Sequence, residues 1–259
     1  MRDSPPMRID WGDGDYARTA RVLAPAADAL LDAAGITVGQ RVLDVACGTG
    51  NATLAAASRG AVATGLDAAE RLVAEAQERA DAAGLSASFI VQDAEHLPVA
   101  DGAFDATLSV FGVIFAEPEA AIGEMFRVTS PTGLVGLTVW RDEGAVSAAG
   151  KILREVLPVE LEDVPRWEDL GWIEGLLLGA GARVMEVSAG TVVMEAESPE
   201  AWFAEQEEYH PVWRALRREL GEEAWADVRT RSVAALTEGN EDPGAFRATS
   251  PYRIVIARR

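Results

Sequence analysis

Hydrophobic positions along the chain follow two rhythms that alternate. Residues 16–34 set Val22, Ala26, Ala29, Leu30 and Ala33 near helical spacing, and Gly35 follows as a helix-terminating glycine. Residues 41–46 form a short, almost unbroken apolar run, which predicts a strand buried on both faces. Gly48-Thr49-Gly50 then turns the chain into an alanine-rich helix that stops near Gly60. The cycle continues with a strand at 62–66, a helix at 68–83 closed by Gly84, strands at 88–91 and 104–110, a helix at 118–128 and a strand at 133–140. This alternation predicts a parallel sheet with helices on both faces, and right-handed crossovers make it doubly wound.

The rhythm changes beyond Trp140. Residues 141–182 read as a helical extension broken by Pro158 and Pro165, and 183–196 as a Val- and Met-rich strand. Ser198-Pro199-Glu200 is a strong helix start, with serine as N-cap and proline in the first turn. Helical pattern then runs to about Glu238, interrupted at Pro211 and Gly221, before a last strand at 251–257. The expectation is one α/β domain over 1–259: a doubly wound, mostly parallel, seven-stranded Rossmann-like sheet. Its core spans 16–140, and a helical lid, 198–238, is inserted between the last two strands. Residues 1–14 read as a loose arm.

Charge and composition narrow the function. Forty-two acidic against 23 basic residues give a formal net charge of −19. Such a field disfavours nucleic acid, which needs clustered cations, and anionic lipid surfaces. No run approaches 18 apolar residues and the N-terminus lacks a basic-then-apolar leader, so a soluble cytoplasmic protein without a membrane partner is expected. Cys47 is the only cysteine, which rules out an internal disulfide and a cysteine-built zinc site. With only His96 and His210 as imidazoles, no metal site is expected.

The stretch Val42-Leu43-Asp44-Val45-Ala46-Cys47-Gly48-Thr49-Gly50-Asn51 carries the main chemical signal. A buried strand ends in a glycine loop that opens a helix, an arrangement that lets a ligand lie against bare backbone. A dinucleotide fingerprint would place a small residue where Thr53 stands. Asp44, four residues before Gly48, would oppose a pyrophosphate and favour a ligand bearing an ammonium and a sulfonium. Downstream stand Gly65-Leu66-Asp67, then Val91-Gln92-Asp93-Ala94-Glu95-His96-Leu97-Pro98, Phe104-Asp105, and Phe126-Arg127-Val128 followed by Pro131-Thr132-Gly133. Together these motifs resemble the class I S-adenosylmethionine-dependent methyltransferases, most of all the branch related to ubiquinone and menaquinone C-methyltransferases. Thr132 departs from the glycine more common there.

The resemblance covers roughly residues 16–140 and implies S-adenosylmethionine as cofactor. It implies contacts from Asp44, Ala46, Gly48, Thr49, Gly50 and Asn51 in the glycine loop, and from Asp67, with Ala68 beside it, at the ribose hydroxyls. Asp93 would accept from the adenine amine and the Ala94 N–H would meet the ring. Ser109 and Phe111 fall near the methionine end, and Tyr16 lies in an N-terminal helix that commonly covers the cofactor. Each has a plainer reading. Asp44 could hold a buried amide, Asp67 with Glu70 fits a helix capping box, and Asp93 could be a turn residue. Cys47 reads as a small packing residue, with no histidine near it in sequence.

The acceptor side is less determined. Glu208-Tyr209-His210 precedes Pro211 at a break between two predicted lid helices. His210, Tyr209 or Glu208 is the candidate base for an acidic acceptor, with neighbouring carboxylates expected to raise the His210 pKa. Trp202, Tyr209, Trp213, Leu216 and Leu220 recur near helical spacing, as packing between lid helices or as an aromatic pocket. The expected activity is methyl transfer to a small molecule, a phenol, quinol or similar group, by in-line displacement. The rival readings are an NAD-dependent oxidoreductase on a similar sheet and a non-catalytic S-adenosylmethionine-binding module.

Overall fold

The computed structural model describes residues 9–156 and 165–259, so the expected break at Pro158 lies outside the described residues. The elements follow in the order α1 (Tyr16–Ala34), β1 (Arg41–Val45), α2 (Asn51–Ser58), β2 (Val62–Asp67), α3 (Glu70–Ala83) and β3 (Ala87–Val91). Then come β4 (Phe104–Val110), α4 (Pro118–Val128), β5 (Thr129–Trp140), α5 (Gly144–Val156), α6 (Leu170–Gly179) and β6 (Arg183–Ala196). The chain closes with α7 (Pro199–Tyr209), α8 (Pro211–Glu238) and β7 (Phe246–Arg258). The seven strands lie in the order β3-β2-β1-β4-β5-β7-β6. Pairing is parallel from β3 to β5, while β7 runs antiparallel to both β5 and β6. The order reverses between β1 and β4, which leaves a crevice at their carboxyl ends, where such sheets bind ligands.

Both faces of the sheet are covered. Leu23, Leu30 and Leu31 of α1 and Ala52 and Ala56 of α2 meet Val42, Ala106 and Leu108 on one face. Ile122, Met125 and Phe126 of α4 and Ile173 and Leu177 of α6 meet Leu43, Val135 and Leu137 on the other. The central strands β1, β4 and β5 are therefore buried on both sides, which explains their continuous apolar runs.

The antiparallel pair β6–β7 is longer than the sheet it extends. Residues 246–251 pair with 191–196 and carry a third core. There Trp202, Phe203, Trp213, Leu216, Trp225 and Val228 of α7 and α8 pack with Ala145, Ala149 and Leu153 of α5. The predicted extension thus divides, with α5 joining the lid and α6 joining the sheet face. Pro211 opens α8 and Gly221, at φ 74°, kinks it. The sequence pattern places the last strand at 251–257. The strand starts five residues earlier, and Pro251 pairs opposite Thr191 inside it.

Candidate active site

The glycine loop is built around two buried carboxylates. Asp44 is the next-to-last residue of β1 and is 1% exposed. Its Oδ2 accepts from the Thr53 N–H at 2.9 Å and the Thr53 hydroxyl at 2.8 Å. Asp67, at the end of β2, accepts from the Gly48 N–H through Oδ2 and from the Ala69 N–H through Oδ1, both at 2.8 Å. The capping box with Glu70 does not form, because the carboxylate is spent on Gly48 and Ala69, and α3 begins at Glu70 rather than Ala68. Burial pushes both pKa values up, that of Asp44 to about 7. Neither has an ion-pair partner among the described residues. Two buried carboxylates without a counter-charge fit a cationic ligand, whose ammonium would offset the desolvation cost.

Backbone geometry keeps this loop open. Gly48 sits at φ 54°, and a Cβ there would come within 3.2 Å of Tyr16 Cε1. The Tyr16 ring therefore lies directly over the loop, and burial and the Asp67 charge push its pKa up. Across the crevice, Ala46 and Phe111 hold positive φ values of 54° and 56° at the ends of β1 and β4. Left-handed backbone at non-glycine residues is costly and concentrates at functional sites. A Cβ on Gly112 would strike the Ala46 carbonyl at 2.5 Å, so close approach is required here.

The remaining predicted cofactor residues divide by what they touch. Thr49 and Asn51 are held by Arg79 of α3, whose Nη1 donates to the Thr49 carbonyl at 2.5 Å, the Thr49 hydroxyl at 2.9 Å and Asn51 Oδ1 at 3.1 Å. The Asn51 amide in turn donates to the Ala20 carbonyl of α1 at 2.6 Å. Ser109 is fully buried; its hydroxyl donates to the Val45 carbonyl at 2.8 Å and accepts from the Val113 N–H at 2.9 Å. It ties β4 to β1 and to the turn that follows β4. Phe111 stacks on Trp140 at 3.9 Å. Asp93 is exposed and accepts from the Glu95 N–H at 3.0 Å, while Ala94 is buried. The loop carrying them follows β3, whose end is joined to β2 by the Gln92 N–H donating to the Asp67 carbonyl at 3.0 Å. Ala68 is exposed and Gly50 sits at φ 83° as N-cap of α2. Cys47 is buried and its thiol pKa is raised by that burial.

The described part of the expected loose arm is not loose. Trp11 packs edge-on to Phe115 at 4.6 Å and Tyr16 at 5.6 Å, and lies 6.2 Å from the His210 ring. The Asp15 N–H donates to the Tyr209 carbonyl at 2.9 Å, and Asp13 pairs with Arg214 and Arg218 of α8. Beneath this cover is a cavity of about 220 Å³. Tyr16, Phe111, Trp140, Trp202, Tyr209 and His210 are among its lining residues.

Two of the three candidate bases line that cavity; Glu208 is exposed and does not. His210 contradicts the expected rise in pKa, since burial lowers it to about 4. Its Nδ1 accepts from the Val212 N–H at 3.3 Å, capping α8. The neutral ring then carries its hydrogen on Nε2 and acts as a donor, with no free nitrogen to take a proton. The Tyr209 pKa is raised by its hydrogen bond to Glu208, and Arg18 lies 4.0 Å over its ring. Two carboxylates that no motif pointed to line the cavity, Glu195 and Glu205; Glu195 is paired with Arg247, and Glu205, itself exposed, lies 3.8 Å from Arg18. Trp11, Phe115 and Arg79 were missed as well. Only the helical register of Glu205, four residues before Tyr209, carried any hint.

Comparison with known proteins agrees with this geometry. Residues 42–133 match a family described as a methyltransferase domain. An uncharacterized protein of Mycobacterium tuberculosis is 38% identical over 188 residues, covering 71% of this chain and 68% of its own length. The chain belongs to the class I S-adenosylmethionine-dependent methyltransferases. A demethylmenaquinone methyltransferase of Thermus thermophilus is 44% identical over 97 residues, 36% of this chain and 44% of that protein. A crystal structure of a putative methyltransferase from Bacillus halodurans shares the fold, with TM-score 0.63 and 17% identity over 90% of this chain and 98% of that one. The methyltransferase therefore uses S-adenosylmethionine as its cofactor, which supplies an activated methyl group. No helix among the described residues is long and apolar enough to cross a membrane.

Proposed function

We propose that this methyltransferase acts on a small aromatic molecule of the phenol or quinol type, bound between the lid and the carboxyl ends of β4 and β5. The observation that carries the reading is the aromatic cavity beside the glycine loop. It shares Tyr16 and Leu23 with the recess lined by Asp44, Gly48 and Asn51, so an acceptor there adjoins the cofactor end of the crevice. Flat walls from Trp140, Phe111 and Trp202 suit a planar ring. Asp44 would face the cofactor's ammonium, Asp67 its ribose hydroxyls, and Asp93 with Ala94 its adenine.

For an oxygen acceptor, the phenol proton passes to the Glu205 carboxylate and the oxygen forms a bond to the methyl carbon. Bound S-adenosylmethionine would supply the methyl group, the electron pair of its carbon–sulfur bond staying with the sulfur of S-adenosylhomocysteine. His210 Nε2–H orients the oxygen as a hydrogen-bond donor, and the Tyr209 ring forms part of the wall beside it. Holding the two reactants in line and excluding water supplies most of what catalysis needs. The test is S-adenosylhomocysteine production with a panel of phenols, quinols and aliphatic amines. Turnover is expected with the aromatic oxygen acceptors. Turnover confined to amines, or tight cofactor binding with no turnover on any of them, would refute the proposal. Calorimetric titration with NAD, expected to show no binding, excludes the oxidoreductase alternative.

A further inference from the structure

A second chamber, of about 360 Å³, adjoins the first, and Phe115, Trp140, Val146 and Met194 border both. Three side chains around it carry a buried polar atom with no hydrogen-bond partner: Arg141 Nε, Trp167 Nε1 and Ser250 Oγ. The fourth such atom among the described residues, Ser232 Oγ, belongs to α8 and lines neither chamber. Trp167 and Ser250 are each only 6% exposed. Folded proteins leave few buried polar groups unpaired, so three around one chamber call for an explanation. The guanidinium Nε–H and the indole N–H can only donate, and the serine hydroxyl can donate as well. All three are donors that no acceptor of the described residues reaches.

The charges around it decide which kind. Arg141 is paired with Glu143, and Asp142 is held by Lys151 at 3.0 Å and by the Ser147 hydroxyl at 2.5 Å. Arg154 and Glu168 complete the charged lining. Among the described lining residues the charges therefore leave no net positive charge to offer a carboxylate or phosphate, while Ile114, Phe115, Trp140 and Pro165 give apolar faces. We infer that this chamber is the far end of the acceptor site and selects a neutral, flat molecule by a carbonyl or similar uncharged oxygen remote from the methylated atom. The inference rests on the aromatic-acceptor reading above, and adds a substrate feature to it.

The test is equilibrium dialysis of the full chain, saturated with S-adenosylhomocysteine, against 9-fluorenone and fluorene, which share a shape and differ by one carbonyl oxygen. Fluorenone is expected to bind about tenfold more tightly, the worth of a buried hydrogen bond. Trp167→Phe, which keeps the ring stacking and removes the donor, and Ser250→Ala should each weaken fluorenone about fivefold and leave fluorene unchanged. Equal retention of the two probes, variants that weaken both alike, or tighter binding of 2-naphthoate than of fluorenone would overturn the inference. Failure of phenols and quinols as methyl acceptors, measured separately by turnover, would overturn the aromatic-acceptor reading while the ketone preference stood.

Discussion

Replacing Asp44 with Asn separates the charge of this carboxylate from its hydrogen bonds. Both Thr53 groups donate to Oδ2, so an amide oxygen at that position keeps both bonds. Ionisation is what changes. Burial holds the Asp44 pKa at about 7, against an ordinary 3.8. A carboxyl whose folded pKa is raised binds its proton more tightly in the folded chain, so stability falls as pH climbs from 3.8 to about 7 and then levels. At roughly 1.4 kcal/mol per pH unit, the full decline is about 4 kcal/mol. His210 works the other way. Its pKa is lowered from 6.5 to about 4, so its neutral ring stabilises the fold above 6.5 and that contribution is lost as pH falls toward 4. The two nearly cancel in the unaltered chain between pH 4 and 6.5, which makes the difference between variants the quantity to measure. Urea unfolding of the ligand-free protein and Asp44→Asn from pH 5 to 8 removes the shared His210 contribution. The variant is expected to gain about 2–3 kcal/mol on the parent across that range. Saturating S-adenosylhomocysteine, whose ammonium would face the carboxylate, should reverse the order at pH 8. A difference independent of pH, or a parent that gains on the variant toward pH 8 without ligand, would refute the reasoning.

Other perturbations test separate parts of the site. Gly48→Ala forces a side chain onto left-handed backbone and against Tyr16 Cε1 at 3.2 Å; calorimetry should show S-adenosylhomocysteine binding weakened about tenfold, with about 1–2 kcal/mol of stability lost. His210→Asn keeps an N-cap acceptor for the Val212 N–H, so thermal unfolding at pH 8 should be little changed while the loss of stability between pH 6.5 and 4 is reduced; an undiminished acid loss would show that another group is responsible. Arg127 of α4 donates to the Leu97 and Val99 carbonyls and pairs with Glu124 and Asp101, fixing the segment after Asp93. With its side chain about one-third exposed, Arg127→Ala should cost about 2 kcal/mol and lower Tm by roughly 4–8 °C; no shift would mean that the segment is held by Leu97 packing alone.

The sheet and its cofactor loop were readable because each rests on a local rule. Strands buried on both faces are apolar throughout, and Gly48 and Gly50 occupy positions where φ must be positive. Lid helices were readable for the same reason, from Ser198 and Pro199 at one start and Pro211 at the next. What escaped depends on residues far apart in sequence. Asp13 meets Arg214 across 201 positions, and Trp11 meets Phe115 and His210 only after the fold is complete. The sign of the His210 shift failed on the same ground. Glu207 and Glu208 are its sequence neighbours, yet Glu207 turns away to Trp225 and Arg229, and Glu208 is exposed. Burial then decides the pKa, and burial is a tertiary property.

Those long-range contacts also join the two halves of the site. Tyr16 lies over Gly48, and the turn just before it is fastened to α7 and α8 through Asp15 to the Tyr209 carbonyl and Asp13 to Arg214. Arg71 of α3 holds the same turn from the cofactor side by donating to the Gly14 carbonyl at 2.7 Å. Gly14 has no room for a side chain, since a Cβ would lie 2.2 Å from the Tyr209 carbonyl oxygen. Lifting Tyr16 away from the glycine loop therefore has to break contacts with the lid, and moving the lid has to disturb the ring over the loop. The ring over the glycine loop and the lid over the aromatic cavity are thus joined mechanically through these contacts.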